Sequence, residues 1–84
     1  MPRYRFNIYN GTGLTEDEEG RELASDEAIR AEALKGIRSI LGEDIMSGVL
    51  DLRGRLEILD EAGELYLTVP FTEAVTIIGR SAQG

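Results

Sequence analysis

Between Ser25 and Met46 the apolar residues recur every three or four positions, while on both sides of that span they alternate. This switch from a helical period to a strand period and back constrains the fold more than any other feature. Ile29, Ala33, Ile37, Ile40, Leu41 and Ile45 form the helical stripe, and Leu34 widens it. Arg30, Glu32, Lys35, Arg38 and Glu43 take mostly the other side. One amphipathic helix cannot bury its stripe alone, so the stripe is expected on the inner face of a sheet. Ser25 suits the N-cap, and Asp26 and Glu27 suit the positive end of the helix dipole. Ala28 stands where a capping box would place Glu or Gln. Gly36 and Gly42 each cost about 1 kcal/mol relative to Ala in a helix interior. They imply either a close approach of another element or a bend or end near Gly42. The spacing of Ile40, Leu41 and Ile45 carries the helix to about Met46, with Ser47-Gly48 as its stop.

Before the helix, Tyr4, Phe6 and Ile8 alternate with Arg3, Arg5, Asn7 and Tyr9, which predicts a half-buried strand. Asn10-Gly11-Thr12-Gly13 breaks it. A return through Leu14-Thr15 and Arg21 to Ala24 is expected, with its placement open, around an exposed acidic turn at Glu16 to Gly20. After the helix, Val49 to Arg53 is a connection that can dock Leu50 or Leu52. A hairpin follows: Gly54 to Leu59, a turn at Asp60-Glu61-Ala62-Gly63, and a return at Glu64 to Val69. Strict alternation puts Leu56 and Ile58 inward on the first arm. It puts Leu65, Leu67 and Val69 inward on the second, with Glu64, Tyr66 and Thr68 outward. Pro70 ends the strand. Residues 72–78 read as a short helix or as a β-rich strand, the helix being preferred.

The fold class is therefore α+β, in the order β-β-α-β-β, with one central helix packed on one face of a small antiparallel sheet. The first strand is expected to lie centrally. Residues 1–78 make a single domain, and 79–84 a flexible tail. An 84-residue chain without cysteine has no disulfide or thiolate metal site to support its core. A dimer would supply burial that so small a domain lacks.

The chemistry is bounded by what is missing. Without histidine, cysteine or tryptophan there is no Ser-His-Asp triad, no cysteine nucleophile and no histidine-based metal site. The acidic run Glu16 to Gly20 lacks the alternating oxygen spacing of a calcium loop. Asn10 to Gly13 lacks the pattern of a phosphate loop. A net charge of −7 opposes phosphate backbones and anionic lipid, so neither nucleic acid nor membrane is an expected partner. The start of the chain has no apolar run of a signal peptide, and the cytoplasm is the expected location. No enzyme activity, cofactor or metal is expected. The face carrying Arg3, Arg5, Asn7, Tyr9, Arg55, Glu57, Leu59, Tyr66 and Thr68 is left open by two layers. The candidate interface residues are Arg3, Arg5, Tyr9, Leu59 and Tyr66 on that face, with Val75 and Ile77 on a possible edge strand.

Three segments carry a family resemblance. Met1-Pro2-Arg3-Tyr4-x-Phe6, Asp17-Glu18-Glu19-Gly20-x-Glu22-Leu23, and Leu65-x-Leu67-Thr68-Val69-Pro70-Phe71-x-x-Ala74-Val75 stand in order around the Ala-rich helix. Together they resemble a family of small alphaproteobacterial proteins with a domain-of-unknown-function label. The resemblance implies the extent of the domain and a bacterial cytoplasmic setting, and it carries no site residue. A strand pair followed by an Ala/Glu-rich helix is also similar to the N-terminal half of HicB-type antitoxins, which block RNA-cleaving toxins. This chain lacks the Pro-Gly-Cys-like segment usual before their helix. The expected function is a non-catalytic protein-interaction module, homodimeric, with an acidic antitoxin-like inhibitor of a basic partner as the alternative.

Overall fold

The computed structural model describes residues 2–11 and 13–79. The strands are β1 (Arg3–Asn10), β2 (Gly13–Thr15), β3 (Arg21–Glu22), β4 (Arg55–Leu59) and β5 (Leu65–Pro70). The helix α1 runs from Asp26 to Met46, and a 3-10 turn, Phe71–Ala74, follows β5. The order across the sheet is β2-β1-β4-β5, all antiparallel, and β3 also pairs with β1. The α+β class and the interior place of β1 follow the sequence expectation.

The return from β1 is made in two pieces. β2 pairs with Ile8 to Asn10, and β3 pairs with Arg3 and Tyr4. The acidic segment between them is no plain solvated turn. Asp17 is half-buried and mends the interrupted ladder. Its Oδ2 accepts from the Phe6 N–H at 3.1 Å, and its Oδ1 accepts from the Gly20 N–H at 3.1 Å. Its own N–H donates to Asn7 Oδ1 at 2.9 Å. Without these bonds the edge of β1 would present unpaired backbone groups at mid-strand.

α1 starts as its sequence requires: the Ala28 N–H donates to Ser25 Oγ at 3.1 Å. It ends at Ser47 and Gly48, where Gly48 takes φ +88°. Neither reason expected for the interior glycines applies. A Cβ added to Gly36 would sit in ordinary contact, 3.8 Å from Leu56 Cδ1, and one at Gly42 would meet nothing within 4 Å. The helix is continuous through both positions.

The core joins Ile29, Ala33, Ile37 and Leu41 of α1 to Leu56, Ile58 and Val69 of the sheet and to Phe71 and Ala74 of the 3-10 turn. Tyr4, Phe6, Ile8, Leu34, Leu52 and Val75 pack around it, half-buried. Leu52 is thus the residue docked from the connection, while Leu50 stays exposed. The inward stripe stops at Leu41, and Ile45 is half exposed. Length explains this: 21 helical residues span about 31 Å, whereas a five-residue strand such as β4 spans about 17 Å. The 3-10 turn is tied to α1 by Arg38 Nε, which donates to the Ala74 carbonyl at 2.7 Å, and by the Arg30–Glu73 ion pair. Of the two readings of residues 72–78, the helical one holds through Ala74. Val75 to Ile78 is neither helix nor strand.

The second hairpin departs from strict alternation. The turn forms as expected, with Gly63 at φ +83° and its N–H donating to the Asp60 carbonyl. Ile58 then pairs with Leu67 but Leu59 pairs with Leu65, so a bulge sets Tyr66 as an extra residue. The bulge reverses two expected orientations. Leu65, expected inward, lies opposite Leu59 and is 58% exposed. Tyr66, expected outward, turns to the helix layer. Its ring meets the Tyr4 ring at 5.2 Å, and its hydroxyl donates to Asp26 at the start of α1.

Candidate functional site: the open sheet face

Residues paired across antiparallel strands share a face, so the register draws the face opposite α1 row by row. Leu14, Tyr9, Arg55 and Pro70 form the first row. Asn7, Glu57 and Thr68 form the next, and Arg5, Leu59 and Leu65 the third. Arg3 and Glu22 close the series. The first and third rows are partly apolar, and the second and fourth are polar.

Pairing among neighbours holds these side chains in place. The Arg55 guanidinium lies 4.2 Å from the centre of the Tyr9 ring, and its Nε donates to Glu57 at 2.8 Å. Arg3 donates to the Glu19 carbonyl at 2.7 Å and pairs with Glu22 at 3.5 Å. Asn7 points outward by alternation but is only 7% exposed, because the Asp17 loop and Glu57 flank it. Two shallow clefts border the face. One, of about 380 Å³, is lined by Tyr9, Asn10, Gly11, Arg53 and Arg55. The other, of about 210 Å³, is lined by Arg3, Arg5, Asp60 and Glu61.

Of the residues singled out in the sequence, Arg3, Arg5, Tyr9 and Leu59 are brought together here. Tyr66 is not, for the reason given by the bulge. Val75 packs half-buried against the core, and Ile77 lies beyond the 3-10 turn, 57% exposed. No described strand contains either residue. Leu14 and Leu65 belong to the face and were missed. Leu14 needed only the pairing of β2 beside Tyr9, which the turn at residues 10–13 already implied. Leu65 needed the bulge, and nothing local marks it.

Among the described residues, no group of three or more carboxylates is placed to hold a metal ion, and no helix is long and apolar enough to cross a membrane. The Asp51 carboxyl, held by hydrogen bonds from the Arg53 side chain and backbone, is lowered to about 2.

A single helix over one face of an antiparallel sheet, with the other face bare among the described residues, defines a two-layer α+β domain. Within that class the chain belongs to the family of a domain of unknown function, DUF6894, whose sequence model matches residues 3–72. Comparison with curated proteins and with solved structures returned no match.

Proposed function

We propose that this chain is a small non-catalytic interaction module of the bacterial cytoplasm that forms a homodimer through its open sheet face. The observation that supports this most is the bulge in β5. It moves Leu65 out of the core and sets it beside Leu59, on the one side of the sheet that no layer covers. Charge favours a second copy as the occupant. Arg3, Arg5 and Arg55 stand there against Glu22 and Glu57, three cations minus two anions, so the face is +1. The rest of a −7 chain then carries −8, and copies meeting elsewhere would repel more strongly. Tyrosine and arginine are enriched in such contacts.

Sedimentation velocity at micromolar concentration tests the proposal. The wild-type chain is expected as a dimer and Leu65→Arg as a folded monomer. A monomeric wild type across that range overturns the homodimer. The alternative, an acidic inhibitor of a basic protein, is favoured by the −8 that lies off this face. Its signature is one stoichiometric basic partner whose binding weakens as salt is raised.

A further inference from the structure

A second exposed apolar surface lies on the other layer, at the C-terminal corner of α1. Ile45, Met46, Val49 and Leu50 are 50%, 85%, 56% and 42% exposed there. Four such residues fall within six positions of the chain. The corner is held by backbone bonds. Ser47 donates to the Asp44 carbonyl through both its N–H and its Oγ, Gly48 N–H donates to the Ile45 carbonyl, and Val49 N–H donates to the Asp44 carbonyl. The backbone that carries the apolar side chains is therefore held in place.

The electrostatics of the corner select its occupant. The last turn of a helix carries a partial negative charge and favours cations. Here that turn holds Glu43 and Asp44 and no basic residue. Beside it, Asp44, Val49, Asp51 and Phe71, with Asn10 and Gly11, line a cleft of about 210 Å³. Asp51 is already matched by Arg53 at 2.9 Å. The last turn of α1 holds no such cation for Glu43 and Asp44.

We infer that this corner docks a partner segment that is both basic and apolar, with a lysine or arginine entering the cleft beside Asp44 and aliphatic side chains covering Met46, Val49 and Leu50. A second copy is the wrong occupant. It would bring two helix C-termini and two Glu43–Asp44 pairs together, in a chain whose net charge is already −7. The inference stands apart from the homodimer, since Met46 and Leu65 lie on opposite layers.

The test uses the full chain, labelled for NMR, and two helix-forming peptides, one of leucine and lysine and one of leucine and glutamate. The lysine peptide is expected to shift resonances of residues 44–51, and the glutamate peptide to leave them in place. Asp44→Asn and Met46→Ser, both at exposed or half-exposed positions, are expected to weaken the lysine peptide roughly tenfold each while leaving the fold's spectrum intact. Shifts centred on the acidic segments 16–20 and 60–64 instead, or equal binding of both peptides, overturn the inference. So does a wild-type dimer that Met46→Ser dissociates and Leu65→Arg does not. Loss of peptide binding with the Leu65-dependent dimer intact would strike this inference alone.

Discussion

Among the described glycines, Gly54 has the least room for a side chain. A Cβ there would stand 2.5 Å from Phe71 Cε2 and 2.6 Å from the Tyr9 carbonyl oxygen, while its own carbonyl accepts from the Phe71 N–H at 3.0 Å. One partner is backbone and the other a fully buried ring, so neither yields easily. Gly54→Ala is expected to lower stability by about 1–3 kcal/mol, as overpacking does, read from the urea midpoint. Tyr66 carries the clearest titration. Its hydrogen bond to Asp26, then partial burial, then the Asp26 charge push its hydroxyl up from 10.0 to about 12. The folded chain thus holds this proton more tightly than the unfolded chain. The contribution is complete below pH 10 and is lost as the pH rises toward 12, a window that Tyr66→Phe is expected to abolish in thermal melts. The group is surface-exposed, so the expected change is small.

At the scale of elements, α1 holds two sites where the sequence is less helical than the structure allows. Gly36 and Gly42 are ordinary helical positions with room for a methyl group. Gly36→Ala and Gly42→Ala are each expected to raise stability by up to about 1 kcal/mol in denaturant titrations. A loss at Gly42, where an added Cβ meets nothing within 4 Å beyond the local helix backbone, would overturn this expectation. The strands divide differently. β4 is set by its own alternation, whereas β2 and β3 are too short to persist without β1 and depend on Asp17 to fill the gap between them.

For the whole molecule, the two surfaces proposed for partners differ in kind. The sheet face is slightly cationic and mixed, and is expected to pair with itself. The helix corner is anionic and apolar, and is expected to take a basic segment. A chain with both can dimerise on one layer and bind a partner on the other. Sedimentation of Leu65→Arg and peptide titration of Met46→Ser read the two independently, and each variant is expected to leave the other property unchanged.

The helix from Ser25 to Gly48, the turn at Asp60 to Gly63 and the strand β1 were legible in the sequence alone. Each rests on signals only a few residues apart: a cap hydroxyl three positions from its N–H, a glycine at the turn, an alternation of period two. Membership of a domain-of-unknown-function family was also legible, and the DUF6894 model matches residues 3–72. What only the tertiary structure decided were matters of pairing. The residues around Tyr66 alternate without a break, yet Ile58 meets Leu67 while Leu59 meets Leu65, and that one slip exchanges the faces of Leu65 and Tyr66. Asp17 reads as one more carboxylate in an acidic run until β2 and β3 settle on the same edge of β1. Ile45 reads as core until the strands beneath α1 prove shorter than the helix. Periodicity states which residues of one element share a side. It is silent on how far a neighbouring element extends and in which register it lies, because those depend on contacts between residues far apart in the chain.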